Sequence, residues 1–479
     1  MNVRSTSTSS TPNLEIHASQ RYRSLRALVP ASIAVAAVSL VAWYPVQRFA
    51  LGRADVSLAD GVSASAIGLV AAALAFTIWR IVLAARYQPV PLPAEKHLPM
   101  LTVVVPAFNE GRQVLDTLVC LSRSDYPADR LQIIAVDDGS QDDTWAWMLR
   151  AKRELGSVIE IVRQPENRGK RHALAAGFAR ARGQIVVTID SDSEVNPDTL
   201  QHMVAPFVAD PCVGAVAGNI RVMARQEGTI ARILDASFTY SFELIRAGQS
   251  VLGAVLCTPG AAAAYRADLV RTVLEEWRDQ TFMGRPANIG EDRALTNLIL
   301  RAGFNVVFQV DAIVETKVPS NYRALSRMLL RWGRSNVRES LALLTFAFQP
   351  LRPTGMLGLR LLALQGAFAI LLSMFGTAGL VVALFTSPLA TMIALFVGTM
   401  LTAIVPGLGC RILRGPGVAP WMLMYGFWST FALSWISPWA VLTPHNGNWM
   451  TRALNSGTTP LPLPVPARQR AQLASFAEM

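Results

Sequence analysis

The sequence predicts a mixed α/β domain over residues 99–320, its sheet mostly parallel, set between membrane-spanning segments. Three observations predict it. Apolar β-branched runs alternate with amphipathic stretches, the pattern of βαβ units. Acidic clusters fall at the ends of successive runs, where open α/β sheets bind ligands. Outside these residues lie apolar stretches long enough to cross a ~30 Å hydrocarbon core, which takes roughly 20 helical residues. The chain has 479 residues, 52% hydrophobic and 16% charged, with a mean hydropathy of +0.33, too apolar for an ordinary soluble protein.

Taken in order, residues 1–25 form a Ser/Thr-rich cytoplasmic tail expected to be disordered. It lacks the pattern of a cleaved secretory signal, so the first span is expected to be retained. Two spans are predicted within 26–90, near 28–44 and 64–83. Arg21, Arg23 and Arg26 precede the first, and Arg80, Arg86 and Lys96 lie at or after the end of the second. The loop between them offsets Arg48 and Arg53 with Asp55 and Asp60, a bias that predicts a cytoplasmic α/β domain in the inner membrane. Residues 321–352 read as amphipathic interface helices. Residues 353–445 read as about three spanning or re-entrant helices, near 359–384, 388–408 and 420–441, and 446–479 as a C-terminal segment with a Pro-rich tail. The net charge of +11 is explained by this bias, by anionic lipid and by diphosphate binding. No basic run interleaves with stacking aromatics, which argues against nucleic acid. Cys120, Cys212, Cys257 and Cys410 are scattered without a C-x-x-C, indicating neither a zinc site nor a disulfide framework.

Within the domain, strands are expected at 101–105, 131–136, 159–162, 184–189 and 213–217. The first runs into Pro106-Ala107-Phe108-Asn109-Glu110, the second into Asp137-Asp138-Gly139-Ser140, the fourth into Asp190-Ser191-Asp192. Alone, each cluster reads equally as a turn with a helix cap. Together they place carboxylates at successive strand ends, where mutual repulsion demands a cation or a shared proton. Asp190 and Asp192, one residue apart, suit Mg2+ or Mn2+, hard cations that take oxygen ligands. Glu291-Asp292 alone is an ordinary acidic helix start, and the basic stretch from Arg327 to Glu339 an ordinary interfacial helix.

These segments resemble the processive membrane enzymes of glycosyltransferase family 2, with the GT-A fold, especially hyaluronan synthases and nodulation-type chito-oligosaccharide synthases. The resemblance implies that Pro106, Ala107, Asn109, Glu110 and Asp138 hold the nucleoside of a UDP-sugar, while Asp190 and Asp192 hold the metal. Lys170 and Arg171, in the loop Asn167-Arg168-Gly169-Lys170-Arg171-His172, would meet the diphosphate with Arg331 and Arg452, His172 being structural. Asp292 of Gly290-Glu291-Asp292-Arg293 would be the general base. Arg331 and Trp332, with Glu291, Gln249 and Cys257, would bind the acceptor, and Trp449, Thr451 and Arg452 would form a closing W-x-T-R gate. Two departures stand out: Met328 occupies the Gln position of Q-x-x-R-W, and Thr258-Pro259-Gly260 replaces the usual S-G-P or C-G-P order. The implied activity is inverting, metal-dependent and processive transfer from a UDP-sugar, with UDP-GlcNAc the best donor, onto a growing β-linked glycan amid membrane lipids. Alternatives are a non-processive transferase acting on a lipid carrier and a catalytically weak export scaffold. Three C-terminal spans would leave Trp449 and Arg452 on the far side from a cytoplasmic domain. Either residues 340–385 add a crossing or one run re-enters, Pro438 marking the last as a candidate.

Overall fold

The computed structural model describes residues 11–34, 37, 75–353 and 355–447. Its centre is an eight-stranded sheet, built from β1 (Leu101–Ala107), β2 (Leu131–Asp137), β3 (Ile159–Arg163), β4 (Ile185–Thr188), β5 (Ser193–Val195), β6 (Val213–Val222), β7 (Ala263–Arg266) and β10 (Asn305–Thr316). The order is β3-β2-β1-β4-β7-β6-β10-β5. β3, β2, β1 and β4 are parallel, β7 runs against both β4 and β6, and β6 and β10 are parallel. Every residue of β1 and β2 is buried, as in a parallel sheet covered by helices on both faces. A separate ribbon pairs β8 (Thr281–Phe282) with β9 (Arg285–Pro286).

The five expected strands are all present. β5, β7 and β10 were not among them. β7 is Ala-Ala-Tyr-Arg, an alanine-rich string without a strand signature. The packing is already tight just before it: a Cβ on Gly218 of β6 would stand 2.7 Å from the Cβ of Ala262.

Helices before the sheet are α1 (Thr11–Ser24) and α2 (Ala75–Ala84). α1 corrects the expectation of a disordered head over these residues. The Tyr22 ring is buried against Tyr87 at 4.8 Å, and its hydroxyl donates to the carbonyl of Glu243. Residues 28–34 of the first expected span are helical, α2 contains the end of the second, and most of both lies outside the described residues.

Around the site lie α3 (Lys170–Phe178), α4 (Ala267–Arg278), α5 (Glu291–Arg301) and the 25-residue α6 (Tyr322–Phe346). Beyond them, α7 (Met356–Thr386) and α8 (Pro388–Arg414) are long and apolar enough to span a membrane. Phe375 and Phe385 stand outward on α7, 74% and 87% exposed, a surface that water does not favour. Both ends of this pair return to the α/β domain. Arg352, before α7, donates to the Gly253 carbonyl and to Asn305 Oδ1, and Arg414, closing α8, pairs with Asp235 and Glu243 at 2.9 and 2.7 Å.

The third expected run, near 420–441, is not one helix. It divides into α9 (Ala419–Phe431) and α10 (Ile436–Leu442), and 13 residues at about 1.5 Å each reach only about 20 Å. The break precedes Pro438, whose ring fits the first turn of α10 and would cost a hydrogen bond in the interior of one continuous helix. The segment stays against the domain: Tyr322 donates to the Ala432 carbonyl, Arg334 to Thr443 Oγ1, and Gly447 lies beside Pro286 and Asn288.

Candidate active site

β1 and β2 pair with Ala107 opposite Asp137, so the chain segments leaving their ends emerge side by side. Pro106 and Ala107 are buried at the end of β1, and the Asp138 amide donates to the Ala107 carbonyl at 2.9 Å. Asn109 adopts a left-handed φ of 52°, which Asn tolerates; its amide donates to Ser140 Oγ and its side-chain oxygen accepts from the Gln141 amide. Glu110 accepts from Ser191 Oγ at 2.9 Å, tying the β1 end to the Asp190-Ser191-Asp192 segment beyond β4. The Asp138 carboxylate accepts from the backbone amides of Arg168 and Gly169 at 3.0 and 2.8 Å. Burial pushes its pKa up to about 6 against the pull of those amides. Gly139 makes this approach of two loops possible: its φ is 70°, and a Cβ would lie 2.5 Å from the Glu166 carbonyl carbon.

Lys170, opening α3, joins the two acidic segments. Its ammonium lies 2.5 Å from Asp190 Oδ1 and 3.3 Å from Glu291 Oε1. Gly260 supplies the room, since a Cβ there would stand 2.6 Å from Lys170 Nζ. The Thr258-Pro259-Gly260 segment is anchored by Thr258, bonded to the hydroxyls of Tyr265 and Thr296 at 2.7 and 2.8 Å. Burial works against the charge on Lys170, but Asp190 and Glu291 outweigh it and hold its pKa above that of an ordinary lysine. Burial pushes Glu291 up, yet Lys170, Arg331 and Arg171 together hold that carboxyl below its usual range. Asp292 goes the other way, pushed up first by burial and then by the Glu291 charge. Two neighbouring carboxyls driven apart can divide the roles of counter-ion and base.

Asp292 sits in the first turn of α5, with Cys257 Sγ 3.6 Å from its Oδ2 and the Arg293 amide 2.7 Å from its Oδ1. Gly290, with φ of 71°, starts this helix hard against α6, where a Cβ would collide with Ser335 Oγ. Arg331 on α6 is close enough for its charge to pull the pKa values of Glu291 and Asp292 down. Trp332 is 39% exposed, its ring 6.4 Å from that of Phe238. Met328 is buried in the hydrophobic core, where a thioether packs and an amide would need partners.

Two expected site residues, Arg171 and Gln249, lie away from the acids. Arg171 does not join Lys170: it is buried, and its guanidinium donates to the Trp277 carbonyl and to Gln280 Oε1. Consecutive helical residues point roughly 100° apart, so one faces the acids and the other the interior. Gln249 accepts from the Leu256 amide and shares a narrow cleft with Trp79, Arg80, Leu362 and Gln365, at the joint with α2 and α7. Trp449, Thr451 and Arg452 lie outside the described residues.

Sequence reasoning missed the layer beneath the site. Trp277 Nε1 donates to the Glu291 carbonyl at 2.7 Å. Glu339, fully buried on α6, accepts from Arg338, from Gln280 and from Asn297 of α5. Arg338 also reaches the Ile289 carbonyl, just before Gly290. The signal was a charged Arg-Glu pair on the inward face of an amphipathic helix, and a lone Trp in the highly charged α4.

At Asp190 and Asp192 the donor set is two carboxylates, and among the described residues no group of three or more His, Cys, Asp or Glu could hold a metal. Such a pair fits Mg2+ or Mn2+ sharing its shell with diphosphate oxygens and water.

The domain pattern described as "Glycosyltransferase like family 2" matches residues 99–335. An N-acetylglucosaminyltransferase of Rhizobium meliloti is 30% identical over 407 residues, covering 82% of this chain and 92% of the relative. One from Mesorhizobium japonicum is 32% identical over 380 residues, covering 78% and 87%. Among solved structures, a mannosyltransferase of Pyrobaculum calidifontis, in complex with GDP-Man and Mn2+, superposes with a TM-score of 0.52 at 23% identity, covering 78% of this chain and 97% of that one. Its likeness extends to the GT-A fold. With the curled, mostly parallel sheet, the acidic strand ends and these relatives in agreement, the chain belongs to glycosyltransferase family 2 and is a glycosyltransferase.

Proposed function

We propose that this enzyme transfers GlcNAc from UDP-GlcNAc, with inversion, onto a growing β-linked glycan at the inner membrane, with a divalent cation and its catalytic domain in the cytoplasm. The carrying observation is that Lys170 brings Asp190 of the donor segment and Glu291, next to Asp292, onto one ammonium. The choice of GlcNAc rests on the activity named for the rhizobial relatives.

In this reading Pro106, Ala107, Asn109, Glu110 and Asp138 cradle the nucleoside. Lys170 and Arg331 pair with diphosphate oxygens, Arg452 joining them from the C-terminal segment. Asp190 and Asp192 would hold Mg2+ or Mn2+, which supplies charge neutralisation to the departing UDP. Asp292 takes the proton from the acceptor hydroxyl as that oxygen forms its bond to the anomeric carbon, and its raised pKa makes it the stronger base. Cys257 borders this base, and Trp332 offers an apolar face to a sugar ring.

α7 and α8 cross the bilayer as a hairpin, because both of its ends are bonded to the α/β domain. Two crossings return residues 419–447 to the catalytic side, and Gly447 beside Asn288 brings the chain toward the acidic segment. On this reading an even count of crossings keeps the W-x-T-R gate on the catalytic side, from which three crossings would carry it away. Extension of a glycan is tested by supplying radiolabelled UDP-GlcNAc and Mn2+ to the protein in nanodiscs and sizing the product. A ladder of β-linked oligosaccharides retained by the protein is the expected result; a single sugar on a lipid carrier would replace this reading with the non-processive one.

A further inference from the structure

Arg171 and Lys170 are neighbours in sequence and opposite in environment. Arg171 lies beneath the acidic segment with its guanidinium 5.4 Å from the centre of the Trp277 ring. It donates to the Trp277 carbonyl and, at 3.0 Å, to Gln280 Oε1. Trp277 is 1% exposed and packs against Phe178 of the same helix as Arg171. Its indole N–H then donates to the carbonyl of Glu291, the residue that meets Lys170 and precedes Asp292. Gln280 passes a second bond to Glu339 of α6. A chain of buried and half-buried contacts therefore runs from the donor-side helix α3, under the acidic segment, to the helix that carries Arg331 and Trp332. Burial lowers Arg171 to about 10, which leaves it a cation at neutral pH, with Glu291, Glu339 and Asp292 as the acids offsetting the cost.

We propose that Arg171 and Trp277 are positioning residues for the Glu291-Asp292 segment, holding it from beneath through the Glu291 carbonyl, and that Arg171 makes no contact with the donor diphosphate. The inference rests on the reading of Asp292 as the base. A segment held in this way keeps the Asp292 carboxylate at one distance from the acceptor hydroxyl, and small displacements of reacting groups are costly to rate. The role shows in turnover, whereas loss of a diphosphate ligand shows in donor affinity.

The test uses the full chain in nanodiscs with UDP-GlcNAc and Mn2+, reading kcat, donor KM and UDP affinity for Trp277→Phe, Arg171→Met, Arg171→Lys and Lys170→Met. Trp277→Phe removes the indole N–H and also puts a smaller ring in a buried site, so Tm is read beside kcat, and Arg171→Lys, which keeps the cation, is the milder second variant. Expected for Trp277→Phe is a kcat lowered about tenfold with donor KM within about twofold of wild type. Arg171→Met shifts kcat in the same direction, Arg171→Lys restores part of it, and Lys170→Met alone weakens UDP binding. Two results overturn the proposal: UDP binding weakened by Arg171→Met as much as by Lys170→Met, or Trp277→Phe with unchanged kcat and only a lower Tm. Asp292→Asn run in parallel separates the two levels. Wild-type turnover there would sink the assignment of the base, a failure read independently of the kcat and KM split at Trp277.

Discussion

The two halves of the site are held by different means. On the donor half, Asn109, Asp138 and the loop at Gly169 are fixed by main-chain amides and short-range turns growing from adjacent parallel strands. On the acceptor half, α5 and α6 are locked by buried ionic side chains: Glu339 with Arg338 and Asn297, and Arg293 with Asn336 and Ser340. Backbone scaffolding tolerates side-chain change, whereas a buried charge network fails when one partner is lost. Under the proposed assignment, the difference teaches that nucleotide binding is built into the sheet, while the alignment of base and acceptor platform is an added, separately breakable layer.

Removing one partner of that layer breaks it most severely. Glu339→Leu leaves Arg338 buried without its carboxylate and is expected to cost about 3–5 kcal/mol of stability, read as a lower Tm by thermal unfolding in detergent. UDP binding at a temperature where the variant remains folded is expected to persist, since Asn109, Asp138 and the Gly169 loop are held by hydrogen bonds in which Glu339 takes no part. Loss of UDP binding in the folded variant would erase the distinction between the halves.

A smaller effect sharpens it. Asp292 is raised by burial and by Glu291, so it becomes protonated, and unable to accept a proton, at a higher pH than an ordinary aspartate. Activity is therefore lost as pH falls through that raised value, placing the acid limb of kcat/KM above the usual carboxylate range. Glu291→Gln removes the adjacent negative charge and should move the limb toward lower pH. A limb that stays in place would separate it from Asp292.

The same division decides what could be read from the sequence. Strand ends bearing Asn109, Asp138 and Asp190 were legible because β-branched runs and the acids that follow them are local patterns. Arg171 was misplaced because two consecutive basic residues look alike in a string, and only helix geometry sends one inward onto Trp277. Trp277 and Glu339 act over 14 and 42 residues of separation, to Glu291 and Asn297, and carry no local signature. The split of the 420–441 run escaped hydropathy because its residues are apolar on both sides of the break. Pro438 was its visible mark.

Asp292 is proposed here as the base of a UDP-GlcNAc-dependent glycosyl transfer. That role is tested most directly by UDP release from the purified protein in nanodiscs, with UDP-GlcNAc and Mn2+, beside Asp292→Asn. Release by the wild type and a fall of about 10²–10⁴-fold in the variant are expected, with UDP affinity retained. Equal release from both proteins, or none from the wild type with UDP-GlcNAc, would contradict it.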